Sequence, residues 1–370
     1  MKSSRSVDVL VIGLGPAGSA AAAAAASAGL SVLALERKQQ VGVPVQCAEY
    51  IPLPLGKFAQ ASGVLQQRIE GMISRLPSGG EEHSALPGLM VDRAAFDQAL
   101  AQQAVEQGAT LWCASRLLRI DASQHCAVVK TATTELAVNY RVLIAADGPH
   151  SSVAASLKLP PLATVFTRQY TVPLRRALVD TEIWLSGEFP GGYAWLFPKG
   201  DRANLGAGAD KQFTHDLKQP LDTLHHRLVE RGLLGAEVLN LTGGLIPVGG
   251  LRSNLVIGNI VFAGDAAGLT HPITGAGIAA AVASGALAGA AAARYLQPRA
   301  EALVEYETEI RERYAPSLQR ALARRAQLDA YRPLPVNDAQ QRQAWIAFPE
   351  YYDAVPVSTA TTLNHFKESL

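Results

Sequence analysis

A glycine-rich turn near the N-terminus constrains the fold of this 370-residue chain more than any other feature. Gly13, Gly15 and Gly18 lie between an apolar run at residues 8–13 and a helix-forming run at residues 16–29. In such a turn the first glycine permits a sharp bend, the second lets a pyrophosphate approach the backbone, and the third lets helix and strand pack closely. The spacing therefore predicts a βαβ unit whose helix N-terminus receives a dinucleotide.

An acidic residue completes this pattern. Glu36 closes the next predicted strand, residues 31–36, where a carboxylate accepts hydrogen bonds from both hydroxyls of an unphosphorylated ribose. FAD and NAD both fit this fingerprint. The later sequence favours FAD, because a second glycine turn, Gly264-Asp265, follows a predicted strand at residues 259–264. Two glycine-rich sites on one sheet suit a long, extended ligand.

The pattern of elements changes twice along the chain, and this predicts the domain organisation. Residues 161–250 carry aromatic and β-branched runs, whereas a strand and a long helix return at residues 259–295. We predict an α/β fold with a discontinuous Rossmann-like FAD-binding domain, an inserted antiparallel β-sheet substrate domain, and a helical C-terminal segment. The predicted bounds are 1–160 with 251–298, then 161–250, then 299–370. Pro316 should kink or split the helix at 299–330.

The last 40 residues contain six aromatic side chains, which a disordered tail would lack, so this segment is expected to pack against the protein. They are Tyr331, Trp345, Phe348, Tyr351, Tyr352 and Phe366.

Charge and composition exclude several classes of protein. The formal net charge is +1, so no global field draws this chain to nucleic acid. The chain is 48% hydrophobic and 18% charged, which is apolar, but its two longest uncharged stretches are rich in alanine and glycine and favour packed helices over a membrane span. No CxxC spacing occurs among Cys47, Cys113 and Cys126, so neither a thiolate metal site nor a disulfide scaffold is expected. We predict a cytoplasmic protein without a transmembrane segment.

Several short motifs together resemble the flavoproteins of the aromatic-hydroxylase type (p-hydroxybenzoate hydroxylase-type), and within them the geranylgeranyl reductase-like branch. The resemblance covers roughly residues 5–295. It rests on the Gly13-Leu14-Gly15-Pro16-Ala17-Gly18 turn with Glu36, on Asp92-Arg93, on Ala146-Asp147-Gly148, on Tyr193-Ala194-Trp195-Leu196-Phe197-Pro198, on Gly264-Asp265-Ala266-Ala267-Gly268, and on Gly275-Ala276-Gly277.

The resemblance implies a FAD-dependent oxidoreductase and assigns cofactor-binding roles. In such flavoproteins Arg93 lies by the pyrophosphate or ribityl chain, and Asp265 binds the same region. For Arg93 a solvated helix residue is the other interpretation, and for Asp147 a structural turn residue. The predicted cofactor-binding residues are Gly13, Gly15, Pro16, Ala17, Gly18, Glu36, Arg37, Arg93, Asp147, Gly148, Gly264, Asp265, Gly275, Ala276 and Gly277.

Three residues are predicted to take part in the chemistry: Cys47, His271 and Trp195. Cys47 matches a cysteine near the flavin in the reductase branch, where it tunes the ring or donates a proton; a buried small hydrophobe is an equal interpretation. His271 is either a proton donor or a helix-start residue. Alternation places Tyr193, Trp195 and Phe197 on one face of a strand, as a wall for an apolar or aromatic substrate or as ordinary sheet core.

The chain departs from the reductase pattern at two motifs. It has Gly275-Ala276-Gly277 where those reductases commonly carry Gly-Glu-Gly, and Cys47-Ala48-Glu49 where they carry Cys-Gly-Glu. Both departures also resemble flavoproteins that hydroxylate a tryptophan of a partner protein during quinone-cofactor maturation. The substrate is therefore left open at this stage.

The leading hypothesis is a FAD-dependent oxidoreductase acting on a bulky apolar or aromatic substrate. A protein that presents such a side chain belongs to this class of substrates. The flavin would be reduced by NAD(P)H, visiting transiently, or by a protein donor. The alternatives are a flavin monooxygenase that hydroxylates a tryptophan of a partner protein, a prenyl C=C reductase, and a non-catalytic FAD-bearing protein that binds a partner.

Overall fold

The computed structural model describes residues 4–297, 299–331 and 335–354. The strands are β1 (Ser4–Ile12), β2 (Val32–Leu35), β3 (Tyr50–Pro52), β4 (Leu65–Ile69), β5 (Met72–Arg75), β6 (Glu81–Ser84), β7 (Gly88–Val91), β8 (Thr110–Trp112), β9 (Arg116–Asp121), β10 (Cys126–Lys130), β11 (Glu135–Ala145), β12 (Thr164–Pro173), β13 (Thr181–Trp184), β14 (Ala194–Lys199), β15 (Arg202–Ala209), β16 (Asn240–Thr242), β17 (Leu245–Pro247), β18 (Val256–Ile257) and β19 (Ile260–Phe262).

The α-helices are α1 (Pro16–Ser27), α2 (Arg93–Glu106), α3 (Ser152–Ser156), α4 (Lys218–Glu230), α5 (Ile278–Leu296), α6 (Ala302–Ala330) and α7 (Asp338–Ala344). Three short 3-10 helices, Leu53–Ala59, Gly264–Ala267 and Pro349–Tyr352, complete the described elements.

The first sheet has eight strands, and its main order is β18-β19-β11-β1-β2-β8. β1 is parallel to β2 and β11, and β11 is parallel to β19, so the carboxyl ends of all four strands lie at one edge. The register places Ile12 opposite Leu35 and Ala145. The glycine turn, Glu36, Asp147 and Asp265 each follow one of these strand ends. The topology thus gathers segments that are far apart in the sequence at the edge where an open α/β sheet binds ligands.

Two helices cover one face of this sheet, and small residues bring them into close contact. A β-carbon on Gly285 of α5 would lie 2.0 Å from the Ala17 carbonyl oxygen of α1, and one on Gly289 would lie 2.3 Å from that of Ala21. α5 is also the single described helix that is long and apolar enough to cross a bilayer, but half of that stretch is buried inside the protein. Much of the apolar excess of the sequence therefore lies at this helix pair.

The second sheet is also eight-stranded, with the order β16-β12-β15-β14-β13-β5-β6 and with β17 paired to β12. α4 packs on one face, where the buried side chains of β12 and β15 meet its apolar stripe. Residues 161–250 supply six of the strands. The other two strands, β5 and β6, come from the segment that the sequence predicts to be part of the first domain. They join the second sheet because β5 pairs with β13 in parallel. The predicted bounds 1–160 of the FAD-binding domain therefore wrongly include residues 72–84, which belong to the second sheet.

The C-terminal segment packs against the second sheet. Trp345 and Phe348 are 3% and 1% exposed and belong to the same apolar cluster as Trp195 and Phe197. Tyr351 is also buried, whereas Tyr331 and Tyr352 are exposed, and Phe366 lies outside the described residues.

α6 runs on through Pro316 and does not split there. Buried residues anchor the helix on both sides of the proline, among them Ile310 before it and Leu318 after it. This tertiary packing outweighs the single hydrogen bond that the proline removes.

Candidate active site

The glycine turn has the geometry of a phosphate cradle. Gly13 has a φ of 95°, and a β-carbon on it would lie 2.4 Å from the Ala146 carbonyl oxygen. A β-carbon on Gly18 would lie 1.8 Å from the Gly13 carbonyl oxygen, whereas one on Gly15 would meet nothing within 4 Å. Pro16 is the first residue of α1, whose N-terminus has no side-chain cap. Two glycines thus serve packing, and the third exposes backbone to a ligand.

Backbone donors fix the Glu36 carboxylate beside this turn. The Leu14 N–H donates to Oε2 over 3.1 Å, and the Lys38 N–H donates to Oε1 over 2.9 Å. The carboxylate is therefore oriented before any ligand arrives, at the place where the sequence predicts a ribose. Arg37, by contrast, is exposed.

The second glycine turn packs against the first helix. A β-carbon on Gly264 would lie 2.9 Å from the Ala17 β-carbon, so the two turns meet directly. Asp265 Oδ1 accepts a hydrogen bond of 2.7 Å from Thr270 Oγ1. Burial raises the pKa of Asp265, while the Thr270 bond and the positive charge of Arg93 act in the opposite direction. Asp265 and Arg93 therefore share one buried region.

The loop before α5 is closed by its own backbone. The Gly275 N–H donates to the His271 carbonyl oxygen and the His271 N–H to the Ala276 carbonyl oxygen, each over 2.9 Å. Gly277 precedes α5 without a side-chain cap, and a β-carbon there would lie 3.1 Å from Asp265 Oδ1. The free end of α5 is thus held beside Asp265.

Arg93 is a mostly buried side chain and not a solvated helix residue. Its Nε donates to Asp97 Oδ1 over 2.7 Å, and its guanidinium also hydrogen-bonds the Cys47 side chain. Burial opposes its charge, but Asp97 and Cys47 together raise the pKa of Arg93. A permanent positive charge therefore stands between Cys47 and Asp265.

The two carboxylate oxygens of Asp147 differ in their contacts. One makes the hydrogen bonds of a structural turn residue, and the other remains available to a ligand. Its Oδ2 accepts from the N–H groups of Ser152 and Val153 and from the Ser152 hydroxyl, at 2.6 to 3.2 Å, which caps α3. Its Oδ1 is buried and has no hydrogen-bond partner in the structure. Gly148, with a φ of 82°, completes the turn.

A residue without a predicted role, Glu49, ties the N-terminus of α2 to the second sheet. Its carboxylate accepts from Lys199 Nζ at 2.8 and 2.9 Å, from Asn204 Nδ2 at 2.8 Å, and from the Arg93 N–H at 2.9 Å. Its φ of 71° is in the left-handed region, which is costly for a residue with a side chain. The Glu49 N–H in turn donates to Cys47 Sγ over 3.2 Å. The Cys47 sulfur thus receives two donors, Glu49 N–H and Arg93.

The three predicted wall residues lie together in one apolar cluster. The Tyr193 ring is 5.7 Å from that of Trp195, and the Trp345 ring from the C-terminal segment is 4.8 Å from Tyr193. Phe197 contacts Tyr50 of β3, which belongs to a three-stranded sheet of order β3-β7-β4, with ring centroids 5.9 Å apart. A small pocket of about 30 Å³ opens at the Tyr193 end, and Ile273 is among the residues that line it. The C-terminal segment therefore covers the wall.

His271 is held as a neutral imidazole. Its Nδ1 accepts from the N–H groups of Ile273 and Thr274 at 3.3 and 3.2 Å, and its Nε2 lies 3.3 Å from the Tyr351 hydroxyl. Burial lowers the pKa of His271 to about 4. These contacts place His271 in a turn at residues 271–274, ahead of α5, which begins at Ile278.

The structure brings most of the predicted residues into one continuous region. Both glycine turns, Glu36, Arg93, Cys47 and Asp265 adjoin one another, and Arg37 stands apart on the surface. No role was predicted for four further residues of this region, Glu49, Gln169, Lys199 and Asn204. Glu49 belongs to the Cys47-Ala48-Glu49 motif, but its side-chain partners Lys199 and Asn204 lie on β14 and β15. Hydrogen bonds to such a distant part of the chain leave no local signal in the sequence.

The residues present fit a dinucleotide. Phosphates can bind at the backbone N–H groups beside Gly15, where no side chain stands in the way. Hydroxyl groups can donate to the oriented Glu36 carboxylate and to Asp147 Oδ1, which has no partner in the structure. Among the described residues no group of His, Cys, Asp and Glu side chains could hold a metal ion.

Comparison with known proteins agrees with this geometry. A family model described as FAD-dependent oxidoreductase matches residues 8–148, and a lycopene cyclase model matches residues 211–343. The chain is 30% identical to a digeranylgeranylglycerophospholipid reductase of Methanococcus aeolicus, over 83% of this chain and 82% of that one. It is 32% identical to the protein of that name from Methanocella arvoryzae, over 85% of each chain.

A solved structure is also similar along nearly the whole chain. The crystal structure of a geranylgeranyl bacteriochlorophyll reductase-like protein from Thermoplasma acidophilum superposes with a TM-score of 0.84 at 26% identity, and the match covers 96% of this chain and 94% of that one.

Proposed function

Because this chain belongs to the digeranylgeranylglycerophospholipid reductase family of FAD-dependent oxidoreductases, we propose that it reduces C=C bonds in the prenyl chains of an apolar lipid. The prenyl reductase alternative thus becomes the main proposal. The substrates in the relatives' names combine long isoprenoid chains with a polar head, and an apolar wall suits such chains.

The observation that carries the proposal is the position of Cys47. It follows the first βαβ unit in sequence, contacts Arg93 of α2, and is bonded through its backbone to the second sheet, which bears the aromatic wall. Cys47 therefore lies where the two halves of the site meet. A double bond held on the aromatic wall would be presented to this junction.

FAD, when bound and first reduced by NAD(P)H or a protein donor, would supply a hydride to one carbon of the double bond. The other carbon needs a proton, and we assign its delivery to Cys47 Sγ. Arg93 and the Glu49 N–H both donate toward this sulfur, so they stabilise the thiolate that remains after the proton has left. His271 is unsuited to this step, because burial keeps its pKa at about 4.

The remaining predicted residues bind and exclude water. Glu36 and Asp265 would accept hydrogen bonds from the sugar and ribityl hydroxyls of FAD, and the first turn of α1 would bind the pyrophosphate. Tyr193, Trp195 and Phe197 would hold the prenyl chain away from water. Arg37 is exposed, apart from the other predicted cofactor residues, and would contribute only long-range positive charge to the phosphates. We keep NAD(P)H as a transient reductant and a cytoplasmic location as parts of the proposal.

The test is an anaerobic reaction of the FAD-loaded protein with a digeranylgeranylglycerol ether lipid. Dithionite and NADPH serve as reductants in separate arms, and the products are analysed by mass spectrometry. We expect a gain of two hydrogens per double bond and a loss of this activity in Cys47→Ala. Cys113→Ala, which alters an exposed thiol, is the matched control.

Two results would redirect the assignment. Incorporation of ¹⁸O from labelled O₂ into a protein or aromatic acceptor, with no hydrogen gain on the lipid, would favour the hydroxylase alternative. A protein that holds FAD but turns over neither lipid nor acceptor with any reductant would favour the non-catalytic alternative.

A further inference from the structure

A glycine in the second sheet lets Trp195 reach across a strand. Trp195 on β14 lies opposite Gly206 on β15, and Gly206 lies opposite Gln169 on β12. A β-carbon on Gly206 would lie 2.4 Å from Trp195 Cζ2, so the indole covers the glycine. Its Nε1 then donates to Gln169 Oε1 over 3.0 Å. A larger residue at position 206 would block this bond.

The other end of the same amide holds the Cys47 backbone. Gln169 Nε2 donates to the Cys47 carbonyl oxygen over 2.9 Å. The amide has one correct orientation, because the indole N–H can only donate and the carbonyl can only accept. Gln169 is buried, so both of its bonds are shielded from water.

Two other side chains of the second sheet hold the same segment. Thr242 Oγ1 donates to the Val45 carbonyl oxygen over 2.8 Å, and Asn204 Nδ2 donates to that of Ala48 over 3.3 Å. Neither is bonded to the aromatic wall. Of the hydrogen bonds described here, only those of Gln169 link a wall residue to Cys47.

We propose that Gln169 is the positioning residue that sets the Cys47 thiol relative to the aromatic wall, by joining the Trp195 indole to the Cys47 carbonyl through one buried amide. The inference rests on the proposed function for its catalytic meaning. A prenyl chain that displaces the Trp195 indole would shift Cys47 through this amide. Gln169 is assigned no contact with the double bond or the flavin, so it acts through Cys47.

The test uses Gln169→Glu in a Cys113→Ala, Cys126→Ala background, where Cys47 is the remaining thiol. A protonated glutamic acid reproduces both bonds, whereas the carboxylate places a negative oxygen against the Cys47 carbonyl. Burial raises the pKa of an introduced carboxyl group, which brings its titration toward neutral pH. The measurement is the rate of Cys47 reaction with 4,4′-dithiodipyridine from pH 5 to pH 9, as a ratio of variant to background protein.

We expect this ratio to be near one at the acid end and to rise about fivefold at the alkaline end. A change of about fivefold corresponds to the loss of one buried hydrogen bond. The other charged or titratable groups bonded to this segment are Cys47 itself, Glu49 with Lys199, and Arg93. All of them are present in both proteins, and the negative charge of the introduced carboxylate disfavours the Cys47 thiolate, so a rise of the ratio with pH reports the lost hydrogen bond and not this charge.

The matched control is Gln67→Glu. Gln67 bridges a donor and an acceptor in the same way, between the Gly200 N–H at 2.9 Å and the Leu178 carbonyl oxygen at 2.6 Å, but it does not contact the Cys47 segment. Its ratio should stay near one at every pH. A ratio for Gln169→Glu that is flat, or equal to that of Gln67→Glu, overturns the proposal.

A second variant covers the case in which Gln169→Glu does not fold. Trp195→Phe keeps an aromatic ring at this position but removes the indole N–H together with part of the ring, so Cys47 reactivity should rise about twofold or more without a dependence on pH. An unchanged rate in Trp195→Phe overturns the proposal. These thiol measurements need no lipid, so they succeed or fail independently of whether the protein reduces prenyl chains.

Discussion

Gly285 of α5 lies so close to α1 that a β-carbon on it would be 2.0 Å from the carbonyl oxygen of Ala17. The obstacle is backbone, which cannot turn aside as a flexible side chain can. The two helices are therefore fixed in register by a residue that has no side chain.

We predict that Gly285→Ala lowers the free energy of unfolding by about 3 kcal/mol, because the helices must separate to admit a methyl group. Urea unfolding measures this loss. Gly187→Ala is the control, since a β-carbon there meets nothing within 4 Å and should change stability little. Equal stability of the two variants would show that α1 and α5 can move apart at no cost.

Glu36→Ala should weaken FAD binding at least about tenfold, because it removes a charged acceptor worth about 1.5–3 kcal/mol. Asp265→Ala should do the same. Absorbance near 450 nm after gel filtration measures the bound flavin. Glu106→Ala, at an exposed position of α2, is the control. A Glu36→Ala, Asp265→Ala double variant that stays fully yellow would contradict the assigned cofactor site.

Removal of the Glu49 charge should destabilise the protein by about 3 kcal/mol, because Lys199 would keep a largely buried charge without its partner. The variant is Glu49→Gln, measured by urea unfolding. Adding Lys199→Met should recover part of the loss, since the unpaired cation is then gone. Glu309→Gln breaks an exposed pair with Arg313 and should cost little. No recovery in the double variant would mean that the ion pair is not the source of the loss.

His271 should make stability depend on pH. Burial lowers its pKa from its ordinary value of 6.5 to about 4, so the unfolded chain takes up a proton at a pH where the folded protein does not. The free energy of unfolding should therefore fall as the pH drops from about 6.5 to about 4, by about 3 kcal/mol from this residue. His271→Asn should flatten that part of the profile, whereas His215→Asn, at an exposed position, should not.

Arg324 should hold the C-terminal segment on the aromatic wall. Its guanidinium donates to the carbonyl oxygens of Glu350, Tyr351 and Asp353 at 2.8 to 3.2 Å. A lysine cannot reach three carbonyls with one fork, so Arg324→Lys should speed amide hydrogen exchange in residues 338–352 at least about tenfold. Arg313→Lys, an exposed change on the same helix, should leave the exchange unaltered. Unchanged protection in Arg324→Lys would contradict this role.

The first βαβ unit was predictable because its signals are local. The strand, the glycine turn, the alanine-rich helix and Glu36 lie within about 30 residues, and each reports on its neighbours in sequence. The long helix after Gly277 was predicted for the same reason. Pro316 shows the limit of such signals, since burial on both sides of it kept α6 in one piece.

The arrangement around Cys47 was not predictable in this way. Gln169 and Asn204 read as ordinary alternating strand residues, and their partners lie on a loop more than 100 residues earlier in the chain. The covering of the aromatic wall by Trp345 has the same origin. Hydrogen bonds and ring contacts between segments that are distant in the chain leave no periodic pattern in the sequence.

The strand order of the first sheet has a consequence for synthesis. β11 pairs with β19 along Leu143–Ala145, and Asp265 follows β19, so the cofactor edge is incomplete until residues beyond 265 have left the ribosome. Until then β11 presents an unpaired edge, and the alanine-rich α1 lacks its partner. The nascent chain therefore carries a half-built sheet while residues 146–265 are synthesised, and complete flavin binding has to wait until that stretch has been made.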